Sequence, residues 1–341
     1  MELLDILSTL CSVKAVSGNE DDMYAAACEL SPSGAQISRD NIGNISVKFG
    51  SACPSHSILL DAHCDQIGFI VTDFCENGFI KVAPVGGIDV RTLYGCRVEV
   101  LGKQRLDGVF GTVPPHLQKD SDSNKFPAID DIAIDVGLSK EKVSELISRG
   151  DFAIVKSKFT KLNENRICCA GLDNKAGVAV LLFVLKKLSE SGLKNTCVTL
   201  LLSVQEELGM RGACAASENC ADSIISVDAS FADYPGCPSE KTGRLGGGAM
   251  LGHAPILSRS LTAALEELAE NRNIPLQHEI MNGTTGTNAD RLSMCAGGSQ
   301  CALISLPLLN MHSAVETVDL RDLYSCADLI ETYIREVDAR D

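Results

Sequence analysis

The chain has 341 residues, 45% of them hydrophobic, and a formal net charge of −15, so it can bury a substantial core while offering nucleic acid no basic stripe. No apolar run approaches the roughly 20 residues that cross a bilayer, and MELLDILSTL lacks the basic lead-in and cleavage site of a signal peptide. Fifteen cysteines, an odd number with no C-x-x-C pair or framework spacing, point to a reducing, cytoplasmic setting.

Taken in chain order, residues 1 to 67 read as two helices followed by short strands. HSILLDAHCD is an apolar strand that runs into polar residues at its C-terminal end. The texture then changes. Between Phe69 and Asn165, GFIVTDFCENGFIKVAPVGGI predicts a hairpin around Asn77-Gly78. GCRVEVLGKQRLDGVFGTV continues with strands and turn glycines, and SKEKVSELISRG is the one helix. TVPPHLQKDSDSNKFPAIDD reads as loop. From about Gly171 helices and strands alternate. DNKAGVAVLLFVLKKLSESG has helical spacing, with Asp173 placed to cap it and Gly192 to end it. CVTLLLSVQEELG is a buried strand followed by acids, RGACAASENC is helical, and SIISVDAS is a short strand ending in an acid. SLTAALEELAENRN is a helix, CALISLPL a strand, and DLRDLYSCADLIETYIREV a closing helix. This alternation predicts an α/β fold, a mixed sheet flanked by helices. The expected division is a catalytic domain of residues 1–68 and 166–341, with an inserted β-rich, barrel-like domain of residues 69–165.

The acids and histidines fall at strand ends. His63 and Asp65 follow one strand, Glu206 and Glu207 another, Asp228 ends a third, and His312 lies beyond a fourth. In open α/β sheets ligands bind outside the carboxyl ends of strands, so these side chains, joined by Asp173, are expected to converge on one edge. Each has a bland reading: a histidine after a strand is more often structural, paired glutamates are usually solvated loop, and Asp173 alone is a helix cap. Together they suit a pair of divalent ions of the zinc or cobalt class, with manganese a third candidate. Two such ions bring +4 and the three carboxylates −3, and a bound hydroxide closes the balance at neutral pH.

The local motifs resemble peptidase family forty-two of the metallo-aminopeptidases, over essentially the whole chain. DAHCDQIGF resembles a block that implies a metal ligand at His63 and a ligand-orienting carboxylate at Asp65. GLDNKAGVAVL resembles the block whose aspartate, here Asp173, bridges both ions. SVQEELGMRGA resembles the paired-glutamate block, implying Glu206 as catalytic base and Glu207 as ligand. SVDASFADYPG and LISLPLLNMHSAVETVDLRD resemble the last two ligand blocks, implying ligands at Asp228 and His312. The resemblance also implies a zinc-exopeptidase-like fold, short peptide substrates, a dimerising insert, and homo-oligomers that reach dodecamers. Gln66, Asn288, Leu309 and Asn310 depart from the family pattern near where substrate would be held. Cys64, and the pair Cys168-Cys169, are expected to be buried packing residues more than redox devices.

Two other readings remain open at this level. One keeps the metal site but makes the chain a deacylase of N-acyl amino acids, and the other makes it a catalytically silent peptide-binding shell. A glycosidase is disfavoured, because its two carboxyl groups would flank the bond without histidine partners.

Overall fold

A computed structural model describes residues 2–117, 128–216 and 221–340. The chain opens with α1 (Leu3–Ser12) and α2 (Asp21–Leu30), then β1 (Gln36–Arg39), β2 (Ile45–Gly50) and β3 (His56–His63). It next builds β4 (Gly68–Phe74), β5 (Ile80–Val85), β6 (Arg97–Leu101), β7 (Arg105–Gly111), β8 (Ala133–Asp135), α3 (Lys140–Leu146) and β9 (Phe152–Val155). The return runs through β10 (Thr160–Lys161), β11 (Arg166–Cys168), α4 (Leu172–Ser191), β12 (Thr196–Ser203), α5 (Arg211–Ala215) and β13 (Ser223–Phe231). It closes with β14 (Ala249–His253), α6 (Arg259–Arg272), β15 (Leu276–Ile280), α7 (Ala289–Leu292), β16 (Gln300–Leu308), β17 (Thr317–Asp319) and α8 (Leu320–Asp338).

The main sheet has eight strands in the order β1-β2-β12-β3-β13-β16-β14-β15. Its centre, β12, β3, β13 and β16, is parallel, whereas β14 runs antiparallel to β16. Period-two alternation covers both faces. Ile58, Leu60 and Ala62 of β3 join Val198, Leu200 and Leu202 of β12 in the larger core, under α1, α4 and α8. Leu59 and Leu201 point to the smaller core beneath α5 and α7. This is the expected mixed sheet flanked by helices.

The six strands β4-β5-β8-β7-β6-β9 close into a barrel with its own core. Phe69 and Phe110 meet edge to face inside it, ring centres 4.9 Å apart. The hairpin at Asn77-Gly78 forms as read, with Gly78 at φ 85°, a left-handed turn position that glycine adopts without Cβ strain. A small third sheet, β10-β11-β17, ties the segment before α4 to the segment after β16.

Two readings need correction. Asp173 does not cap α4: Gly171 is the N-cap, and Asp173 has extended ψ inside the first turn, with its side chain directed elsewhere. β13 does not end at Asp228 but continues three residues to Phe231. Gln66 and Asn288 are both buried, Gln66 accepting from Lys175 Nζ and Asn288 Nδ2 donating to Ser203 Oγ at 2.7 Å. Much of the loop read around TVPPHLQKDSDSNKFPAIDD, and the last four residues of RGACAASENC, lie outside the described residues. Cys64 and Cys169 are buried and Cys168 is half-buried.

Candidate metal centre

Four neighbouring parallel strands carry the site. β3 ends on His63, β12 leads into the turn bearing Glu206 and Glu207, β13 carries Asp228 near its end, and the loop after β16 carries His312. Asp173 arrives from the opening turn of α4. His63 Nε2 lies 3.1 Å from Asp173 Oδ1 and 3.4 Å from Asp228 Oδ1. His312 Nε2 lies 3.0 Å from Glu207 Oε1 and 3.4 Å from Asp173 Oδ2. Two three-residue groups result, His63-Asp173-Asp228 and Asp173-Glu207-His312, each with ligand-type atoms within 4.8 Å of one another. Asp173 belongs to both, one carboxylate oxygen facing each.

The electrostatics call for positive charge. Burial works against a charged His63, but Asp228, Asp173 and Asp65 outweigh it and hold the ring well above its usual range. His312 is pushed up to about 11 by its hydrogen bonds to Asp173 and Glu207. Burial raises Asp228 and Glu207, which resist carrying unneutralised charge. A cluster whose carboxylates hold protons this strongly on its own histidines is suited to cations, and imidazole with carboxylate is a donor set for the zinc class.

Supporting groups fix these side chains. His63 Nδ1 sits 3.1 Å from the Asp65 carbonyl oxygen, which sets the tautomer that leaves Nε2 facing Asp173 and Asp228. The Asp65 carboxylate accepts from Ser17 Oγ and from the backbone N–H groups of Glu206 at 3.0 Å and Glu207 at 3.3 Å. Glu206 is held up to about 8, chiefly by burial, with Asp228 and Glu207 adding to the effect and His63 opposing it. It belongs to neither three-residue group and stands close enough to feel the charges of His63, Asp228 and Glu207.

Sequence reasoning missed Glu316 and Glu20. Buried Glu316 accepts the His312 N–H through Oε1 at 2.9 Å and the Asp173 N–H through Oε2 at 3.1 Å. It thereby locks two ligand segments together and holds His312 at φ 61°, an unfavourable left-handed conformation for a side-chain-bearing residue. An acid in the otherwise apolar approach to β17 was the available signal. Glu20 accepts the Gln205 N–H at 3.2 Å beneath the glutamate turn, a contact that no local pattern announces. The barrel also reaches the site. A Cβ on Gly87, in the loop after β5, would lie 3.2 Å from His312 Nδ1, and one on Gly86 would lie 3.4 Å from Glu207 Cβ. Both glycines let this loop settle against the ligands.

The model of the M42 glutamyl aminopeptidase family matches residues 43–329. The chain belongs to the M42 peptidase family. A lysyl aminopeptidase of Pyrococcus furiosus is 30% identical over 314 residues, covering 90% of this chain and 88% of its own. Among solved structures, an aminopeptidase from the archaeon Desulfurococcus kamchatkensis superposes with a TM-score of 0.91 at 32% identity, covering 98% of this chain and 94% of that one. The TET1 peptidase of Pyrococcus horikoshii, which can assemble into a tetrahedron or a large octahedral shell, gives 0.86 at 31% identity, covering 98% and 99%. This M42 protein is therefore a peptide-bond hydrolase of the aminopeptidase class. Among its described residues no helix is long and apolar enough to cross a membrane.

Proposed function

We propose that this M42 aminopeptidase removes N-terminal residues from short peptides with two divalent ions per chain, zinc or cobalt foremost and manganese as a third candidate. His63, Asp173 and Asp228 would hold one ion, and Asp173, Glu207 and His312 the other. The observation that carries the reading is the division of the Asp173 carboxylate, Oδ1 toward His63 and Oδ2 toward His312. When bound, such ions supply Lewis acidity, polarising a carbonyl and acidifying water.

The chain's own residues then have distinct tasks. Glu206 takes a proton from the attacking water and delivers it to the departing amine. A base suits this role when its affinity for protons lies near the working pH, and burial lifts Glu206 toward that range. Asp65 is a positioning residue, orienting both His63 and the glutamate turn. The surplus of acids beside the ligand groups attracts the free ammonium of a peptide N-terminus.

We place the protein in the cytoplasm, since its fifteen cysteines are odd in number and show no framework spacing. We assign self-association to residues 69–165, the barrel-bearing insert within a catalytic body of residues 1–68 and 166–341. Tyr94, Val109 and Leu117 expose apolar surface there. Dimers, and dodecamers built from them, are the expected assemblies.

A panel of aminoacyl-anilides and their N-acetylated counterparts, run beside metal analysis, tests the reading. Cleavage confined to free-amine substrates, with two ions per chain, supports it. Preference for the acetylated series makes the protein a deacylase, and full metal content without turnover makes it a binding shell.

A further inference from the structure

Far from the ligand groups, two histidines face each other across the end of the main sheet. β14 and β15 run parallel, and β14 runs antiparallel to β16. The C-terminal end of β14, where His253 stands, is therefore at the opposite edge of the sheet from the loop carrying His312. His253 Nε2 and His278 Nδ1 approach to 3.0 Å. The rings are tilted at 43° with centres 5.2 Å apart, so they meet through their nitrogens and are not stacked.

The other nitrogen of His278 explains what this contact can do. His278 Nε2 faces Glu266 Oε1 at 3.8 Å, from α6. At that distance the carboxylate lies beyond hydrogen-bond reach, but its negative charge stands on the Nε2 side of the ring while Nδ1 faces His253. Carboxylate, imidazole and metal in that order is a recurrent arrangement around zinc. The spacing suits it. Two nitrogens at zinc–nitrogen bonds of about 2.0–2.1 Å and a tetrahedral angle stand about 3.3 Å apart, so 3.0 Å needs only a small opening of the pair.

From this geometry we infer a second metal site, separate from the catalytic one, in which His253 and His278 bind a zinc-class ion beside the charge of Glu266. The His278 side chain is 48% exposed, and His253 and Glu266 line a surface cleft, so water can complete the coordination. Arg259 lines the same cleft, so simple attraction of any cation is weak there. Imidazole then does the selecting, in favour of zinc, nickel or copper over magnesium and calcium.

The test is a zinc titration of the holoenzyme with its catalytic ions already bound, read by calorimetry and by counting ions per chain. The intact protein binds one zinc ion beyond the catalytic complement. His253→Gln and His278→Gln each lose that ion and keep the wild-type rate on an aminoacyl-anilide. Glu266→Gln keeps the site with weaker zinc binding, because it removes the negative charge 3.8 Å from His278 Nε2. No additional ion in the intact protein overturns the inference, as does an additional ion that survives both histidine variants, which would place it on the thiols. Loss of catalytic ions in those variants would overturn the separateness of the site. None of these outcomes depends on how the catalytic ions themselves are held.

Discussion

Asp65 accepts the backbone N–H of Glu206 at 3.0 Å, so one buried carboxylate fixes where that glutamate stands. That contact and the weaker one to Glu207 hold the turn in which two adjacent acids point to different places. Glu207 reaches His312, and Glu206 does not. Glu206→Gln should therefore retain two ions while turnover falls about 10²- to 10⁴-fold. Glu207→Gln should lose metal first, because a neutral amide is a poorer ligand. Metal stoichiometry and kcat on both variants decide the assignment, and the reverse pattern sinks it.

Metal removal gives a second check. A chelator should abolish hydrolysis, and zinc, cobalt or manganese should restore it. His63→Ala and His312→Ala should each hold at least one ion per chain fewer than the intact protein by elemental analysis. Full occupancy in both variants would mean that other residues bind the ions.

Self-association should follow the barrel. Light scattering at micromolar concentration should report an oligomer for the intact chain. Val109→Asp, which places a charge on the exposed apolar surface of β7, should shift the distribution toward smaller species. A monomeric intact protein would count against the proposal, and so would an assembly indifferent to this change.

The fold also carries a pH signature away from the site. Asp322 of α8 accepts the N–H groups of Gly246 at 2.8 Å and Gly248 at 2.7 Å, and burial pushes its carboxyl up to about 6. The folded state thus binds this proton more tightly than the unfolded chain does. The resulting stability is complete below about pH 4 and lost as pH rises through 6. Asp322→Asn cannot titrate. Its stability relative to wild type should rise by on the order of 3 kcal/mol from pH 4 to pH 7.5, on top of any fixed cost of substitution. Denaturant titrations at several pH values measure this, and a flat difference would refute it.

The positions of His63, Glu206, Glu207, Asp228 and His312 were legible because strand ends are: an apolar run followed by a polar side chain marks both the element and its exit. Asp173 was found for a different reason. Its place before a helix suggested a cap, whereas the backbone turns its carboxylate toward two histidines. Glu316 and Glu20 were hidden because their partners are backbone N–H groups brought near by tertiary folding, and no spacing encodes that. The short strands β14 and β15 were missed as well, since AMLGH and LQHEI are too brief to show alternation. The burial of Gln66 and Asn288 was not legible, because motif comparison records identity and says nothing about depth.

The closeness of Gly87 to His312 bears on how such enzymes can be recombined. The barrel looks exchangeable, a self-contained unit with its own core, joined to the catalytic body by two chain crossings. Its loop nevertheless forms part of the wall around His312, the proposed metal ligand, and only a residue without a Cβ fits there unhindered. A hybrid carrying another protein's barrel would inherit that wall along with any new assembly behaviour. Swapping the insert to redesign quaternary structure is thus also an active-site mutation, and quaternary and kinetic traits in such hybrids should travel together.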